Sequence, residues 1–406
     1  MGGAAVGWRA RVLWTCAALV VACRPAAGAD SAWPRWRGPR GDGRVTGEVC
    51  DVSKLSGFTE PLWELDIGRG FSSVVVGGGR LYTLGNDGER DTVYCLDAAT
   101  GEEHWRHSYA CEPGRYPGPR STPLLDGAAV YTFSRAGDLF CFRAEDGKVL
   151  WRQSVRSRWK LNPPRWGFAC SPVVDGEKLV LNAGRHGLVL NKSTGAQIWS
   201  SGPGGCSYAT PVFYDAGGER CVAIFAARSV YGVVLSSGAV RWSHQWKTRY
   251  DVNAADPIVT DGRVFISSGY GKGGALLDIT QREPNVLWRR DTMGNHFSTC
   301  VLMDGYLYGI DGNAGRGSLR CVELESGWER WSKSTGFGSL IAVDRTLLVL
   351  NERGTLFAVA AEPGAYKELA SARVVKRPKC WSPPVLVAGR LYCRSNSGAL
   401  VCVDLR

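Results

Sequence analysis

Arg120-Ser-Thr-Pro-Leu-Leu-Asp-Gly, Ala-Ala-Val-Tyr-Thr-Phe, Ser-Arg-Ala-Gly, Asp-Leu-Phe-Cys-Phe, Arg-Ala-Glu-Asp-Gly and Lys-Val-Leu-Trp-Arg152 follow one another without a gap, and their alternation decides the fold. The apolar runs are short and rich in β-branched and aromatic side chains, and Gly, Asp or Ser bounds each of them. That reads as strand, turn, strand, turn, with no helical period long enough to compete. The Asp-Gly and Arg-Ala-Gly turns supply residues that accept positive φ, as tight hairpins require. Four antiparallel strands in a unit of this length make one blade of a β-propeller.

The closing Trp recurs along the chain at intervals of roughly 40 to 48 residues, which marks a repeat architecture. Asp97-Ala-Ala-Thr-Gly101 precedes Trp105, Glu145-Asp-Gly147 precedes Trp151, and Asn191-Lys-Ser-Thr-Gly195 precedes Trp199. Ser236-Ser-Gly238 then leads to Trp242, a longer loop to Trp288, Glu325-Ser-Gly327 to Trp331, and Glu362-Pro-Gly364 to Leu369 as a stand-in. The last unit, Leu391 to Asp404, holds two middle strands and stops before an outer one. Pro61-Leu-Trp-Glu-Leu-Asp66 supplies that strand from the other end. Trp63 therefore starts the series, and the expected fold is all-β: an eight-bladed propeller with four-stranded antiparallel blades, closed by its N-terminal strand. Closure also removes the free sheet edges that invite aggregation. Seven blades is the alternative, because Leu369 is the weakest member.

Three regions are expected: a signal peptide at 1–29, an N-terminal extension at 30–60 packing on the propeller, and the propeller itself at 61–406. Arg9 and Arg11 precede an apolar run from Val12 to Ala22, and Ala27-Gly-Ala29 offers a small-residue cleavage site. The run is too short to span a membrane, and nothing after it is long enough. Val20-Val-Ala-Cys23 also resembles a lipobox, so anchoring through lipid on Cys23 is the alternative to a freely periplasmic or secreted chain. The formal charge of +11 becomes +8 once Arg9, Arg11 and Arg24 are removed. The remaining basic residues are scattered, and no motif points to nucleic acid.

Of 14 cysteines, 12 follow residue 29. Cys95, Cys141, Cys321 and Cys402 occupy equivalent places inside apolar third strands and read as small buried hydrophobes. Cys111, Cys170, Cys206, Cys300 and Cys380 lie near loops where pairing remains open. With five His in the chain and no C-x-x-C pair, a structural zinc site is not expected. Gly271-Lys-Gly-Gly274 lacks P-loop spacing and reads as a hairpin, and no G-x-S-x-G elbow anchors a hydrolase triad.

The unit Asp-x-x-Thr-Gly-x-x-x-Trp, following a strand that ends in Leu-Asp, resembles the PQQ-like (quinoprotein-type) propeller repeat over residues 61–406. That family includes the quinoprotein alcohol dehydrogenases and the propeller lipoprotein of the BAM complex. The opening Trp33-Pro-Arg-Trp-Arg-Gly-Pro-Arg-Gly-Asp-Gly43 is similar to the N-terminal signature of exported PQQ-like propellers of planctomycetes. The resemblance implies the fold, and implies PQQ with calcium for the dehydrogenases. This chain departs from those enzymes in having no adjacent cysteine pair and no C-x-x-C-H haem signature.

A propeller binds where the loops entering its inner strands converge. Those loops repeat Ser/Thr-Pro, as in Cys170-Ser-Pro172 and Tyr208-Ala-Thr-Pro211. The Pro fixes φ at the strand start, and the hydroxyl can satisfy backbone groups around a narrow channel. Arg120, Trp166, Asn253, Asp256, Asn295, His296 and Trp381 depart from that pattern and are the candidate ligand-binding residues. An aromatic face, an Asn-Asp oxygen pair and an Arg are also the groups that would hold a planar anionic cofactor with calcium. The leading expectation is an exported, monomeric, non-catalytic propeller that binds a protein or polysaccharide through its funnel, with no metal or cofactor. A PQQ-dependent alcohol dehydrogenase and an outer-membrane assembly lipoprotein are the two alternatives.

Overall fold

The computed structural model describes residues 1–3, 32–112, 114–377 and 379–406. The cleavage site expected near Ala29 and the lipid acceptor Cys23 lie outside them. Eight four-stranded antiparallel sheets form the ring. Blade 1 runs from the inside outward as Val75–Gly77, Arg80–Asn86, Arg90–Asp97 and Glu103–Ala110. Blade 8 consists of Val385–Val387, Arg390–Arg394 and Ala399–Asp404, completed by Trp63–Asp66 with Trp63 opposite Cys402. The closure read from the two chain ends is the one observed. Gly271 to Gly274 turns a hairpin between Arg263–Ser268 and Gly273–Asp278, also as read.

The Trp series has a common packing environment. Each outer-strand Trp lies opposite a residue of the third strand: Trp105 opposite Cys95, Trp151 opposite Cys141, Trp331 opposite Cys321. In the same rows stand Tyr82, Tyr131 and Tyr308 of the second strand, their rings about 6 Å from the Trp rings. The Cys is the small member between two large rings; a bulkier side chain would push them apart. Burial raises the thiols of Cys95, Cys141, Cys321 and Cys402, as it does in a small hydrophobe's site. All twelve described cysteines are free.

Each Trp also holds the next blade. Trp105, Trp151, Trp199 and Trp288 donate their indole N–H groups to the carbonyls of Ala144, Lys192, Leu235 and Leu324, the residues just after the next blade's third strand. The turn glycine after that residue lies against the Trp face. At Gly147, with φ of 72°, a Cβ would fall 2.6 Å from Trp105. A positive φ and a ring in van der Waals contact both require Gly there, which accounts for the Gly of the repeat.

Blade 7 corrects the expected series. Its outer strand, Glu368–Arg373, pairs Ala358 with Ala370 and then shifts register before Val359 meets Glu368. The same bulge precedes Trp105, Trp151, Trp199, Trp242, Trp288 and Trp331, so the Trp-equivalent residue is Ala370, not Leu369. Leu369 is the bulged residue and faces solvent, 43% exposed. The wedge that a Trp would fill is covered by a 3-10 turn, Val52–Gly57, packed on this strand, with Leu55 buried in the same apolar cluster as Ala370, Val387 and Leu405.

That turn ends a strap that crosses the bottom of the ring. Trp33 exchanges backbone hydrogen bonds with Val76 of blade 1, and Pro34 accepts from Leu125 of blade 2. Arg44–Val45 then pairs in parallel with Ala342 and Val343 of blade 7. Between them the Arg37 guanidinium donates to the Cys300 carbonyl at 2.8 Å, which ties the strap to blade 6. Gly38, with φ of 82°, lets the chain fold back over the Trp33 ring, 3.2 Å from where a Cβ would be.

Candidate functional site

The Ser/Thr of the inner-strand loops forms a blade-to-blade chain of hydrogen bonds. Ser73 N–H donates to the Thr122 hydroxyl, Thr122 N–H to Ser171, and Ser171 N–H to Thr210. Thr210 N–H continues the ring, but its acceptor is the carboxylate of Asp256, at 2.7 Å. Asp256 N–H then donates to the Thr299 hydroxyl at 2.8 Å. The recurring hydroxyls thus satisfy backbone groups around the channel, the structural role read from their repetition. Asp256 is the position where the ring carries a charge.

The other Asp256 oxygen accepts the indole N–H of Trp36 at 2.7 Å, and Arg37 lies 4.0 Å from it, both partners about 95% buried. Burial pushes the Asp256 carboxyl up and the Arg37 guanidinium down, while each sustains the other's charge. An N–H donor on each of its oxygens, with Arg37 beside them, favours the carboxylate form. Trp36 thereby becomes a septum: it lines both the funnel above and a second cavity below, which Arg35, Arg40 and Arg220 also line. The funnel is closed at its base.

Above the septum lies a cavity of about 370 Å³. Its wall is aromatic: Phe71, Trp166, Tyr208, Tyr270, Phe297 and Trp381 all line it. Phe297 sits against Trp381 at 5.1 Å and stacks on His296 at 3.6 Å, and Tyr270 meets His296 edge-on at 4.7 Å. His296 is 4% exposed, and among the described residues neither of its ring nitrogens has a partner; the Trp381 indole N–H is likewise unpaired. Burial takes the His296 pKa down to about 4, so the ring is neutral at physiological pH. A neutral imidazole has one donor and one acceptor, and here both remain unused.

Of the seven candidates, Arg120, Trp166, Asp256, His296 and Trp381 line this cavity. Arg120 donates to the Gly118 and Tyr116 carbonyls and lies over Phe71 at 5.3 Å. Burial lowers its pKa to about 10. Asn253 and Asn295 are turned into the protein instead. Asn253 donates to Ala226 and Ala227 and accepts from Ser268, and Asn295 donates to Ile310. They hold loops in place behind the wall. The sequence reading passed over Trp36, because its partner Asp256 is distant in the chain. It also passed over Tyr270, on the turn between the second and third strands of blade 5, and Asn313, the last residue of the second strand of blade 6.

The mouth is basic. Arg165 lies over Trp166 at 5.3 Å and Tyr250 at 5.8 Å, Arg249 over Tyr250 at 5.2 Å, and Arg115 over Tyr116 at 5.9 Å. Among the described residues no carboxylate pairs with any of these three.

A family model described as Outer membrane protein assembly factor BamB matches residues 46–113 and 111–333. No curated protein matches the chain. Among solved structures, BamB from Moraxella catarrhalis superposes with a TM-score of 0.63 at 14% identity, over 85% of this chain and 99% of that one. Quinohemoprotein alcohol dehydrogenase from Comamonas testosteroni gives a TM-score of 0.70 at 13% identity, over 92% of this chain and 80% of that one. A europium-containing methanol dehydrogenase gives 0.69 at 12% identity, over 89% of each chain. Likeness at these identities concerns the fold alone.

Proposed function

The chain belongs to the family described as Outer membrane protein assembly factor BamB, and from that premise we propose that it is a non-catalytic binding propeller, exported from the cell, whose closed funnel takes up part of a protein or polysaccharide partner. One observation carries this reading. The polar atoms left without partners in the funnel wall, on His296 and Trp381, are neutral hydrogen-bonding groups set among aromatic faces. Asp256, the one carboxylate in that wall among the described residues, already accepts from Thr210 and Trp36. Unused neutral donors and acceptors in a concave apolar wall suit binding.

The residues present do not fit a calcium-held quinone. Calcium takes six to eight oxygens, and the Asn-Asp oxygen set expected for it is dispersed: Asp256 is held at the floor beside Arg37, and Asn253 is bonded behind the wall. Arg120 spends its guanidinium on loop carbonyls. The test is reconstitution: purified chain incubated with PQQ and calcium, then desalted. No retained quinone absorbance and no dye-linked oxidation of primary alcohols are expected; either signal would replace this reading with the dehydrogenase one.

An outer-membrane assembly role is the second reading, favoured by the description of the matching family. Mass spectrometry of the mature N-terminus separates the two forms: acylated Cys23 supports an anchored assembly factor, and a start at Asp30 supports a freely exported binder.

A further inference from the structure

The funnel combines two chemistries at two depths. At depth, flat aromatic faces surround neutral groups that are unpartnered and almost wholly enclosed: both nitrogens of His296 and the indole N–H of Trp381. At the mouth stand Arg115, Arg165 and Arg249, each over an aromatic ring and without a carboxylate partner among the described residues. The Arg120 guanidinium in this wall is already held on the Gly118 and Tyr116 carbonyls, so a carboxylate or sulfate group at depth would leave water for an apolar wall and a neutral imidazole, at a large desolvation cost. A hydroxyl, which donates and accepts, matches that imidazole, and the C–H face of a sugar ring matches the aromatic planes. Charge on the ligand belongs at the mouth.

Resting on the binding reading above, we propose that the funnel binds the end of an anionic oligosaccharide, its terminal ring against Trp166, Trp381 and His296 and its carboxylate or sulfate groups on Arg165 and Arg249. The Trp36 septum closes the channel, so the chain enters by its end and does not thread through. An acidic peptide fits less well. Extended peptides bind by pairing with a strand edge, and the strap already takes backbone positions on the inner strands of blades 1, 2 and 7.

The experiment is calorimetry with tryptophan fluorescence on the purified protein in 50 mM and 500 mM salt. The probes are trigalacturonic acid, a heparin-derived tetrasaccharide, maltotriose and hexaglutamate. At least one anionic saccharide is expected to bind tenfold or more tightly than maltotriose and hexaglutamate, and to weaken severalfold in high salt. Arg165→Ser with Arg249→Ser, both exposed and outside the core, should cost about tenfold in affinity, and Trp166→Ala should abolish binding. The salt dependence of the unaltered protein carries the charge argument even where a variant folds poorly. Equal binding of maltotriose overturns the anionic assignment, and silence from both anionic saccharides overturns the saccharide. Preference for hexaglutamate also overturns the saccharide while leaving a binding protein, whereas retained quinone in the reconstitution test removes the binding reading itself.

Discussion

The backbone N–H of Asp51 donates to the carbonyl of Leu405 at 2.8 Å. Leu405 follows the third strand of blade 8, and the equivalent carbonyls of blades 2, 3, 4 and 6 receive the indole N–H of the preceding blade's Trp. Blade 7 has Ala370 at its Trp position, and the strap brings both the donor and the apolar filling, Leu55, from the other end of the sequence.

Leu55→Ala should therefore cost about 2–4 kcal/mol, the range for a buried Leu truncation. Ala370→Trp alone should also destabilise, by about 1–3 kcal/mol, since its space is filled. Combined, the two should cost less than their sum, because the new ring occupies what Leu55 vacates. Urea unfolding of the four proteins measures that coupling; strict additivity would place Leu55 outside the wedge.

The Trp–carbonyl bond can be weighed by comparing blades. Trp151→Phe keeps most of the ring and loses the bond to Lys192, an expected cost of about 1 kcal/mol beyond the lost area. Among the described residues the Trp63 indole N–H has no partner, although the Ala98 carbonyl accepts the Tyr392 hydroxyl as the Lys192 carbonyl accepts that of Tyr131. Trp63→Phe should lack that extra cost. Equal losses in denaturant titrations would mean the indole bond contributes nothing.

Asp256→Asn should destabilise by about 3 kcal/mol or more, because it leaves Arg37 charged, buried and without its counter-ion. Trp36→Phe removes one hydrogen bond and should cost about 1 kcal/mol. The two changes act on the same strap, so protease cleavage between residues 33 and 45 should speed up more in the first variant than in the second.

His296 makes a prediction with a definite sign. Its folded pKa of about 4 lies below the ordinary 6.5, so between those values the unfolded chain binds the proton and the folded one does not. Stability then falls as pH is lowered from 6.5 towards 4, by up to about 3 kcal/mol from this residue. In His296→Phe the difference in unfolding free energy between pH 7.5 and pH 4.5 should shrink by about 2–3 kcal/mol. An unchanged difference would mean that the imidazole titrates normally.

Blade number and ring closure were legible because Trp, Tyr and turn Gly are costly residues that recur only where a wedge needs them. The Leu369 position was misread by one residue for the same reason. A β-bulge sets the register of each outer strand, and without a Trp nothing in the local pattern marks which side of the bulge faces in. Arg120, Trp166, Asp256, His296 and Trp381 stood out by breaking a repeat, and they do line the cavity. Asn253 and Asn295 broke it equally, yet a buried amide that ties down a loop looks in sequence just like one that meets a ligand. Trp36 was hidden in a segment with no repeat to compare it with, and its contacts depend on which blades the strap reaches.

Pairing Trp63 with Cys402 and resting Leu55 beside Leu405 has a kinetic side. Trp63 and Leu55 lack these partners until the last residues are synthesised, and contacts of such sequence separation slow folding. Opening the ring elsewhere, at the exposed 281–283 turn, and joining the present ends should leave blade packing intact while letting blade 8 form as one continuous piece. Such a permutant would then differ from the parent in how fast it folds more than in how stable it is.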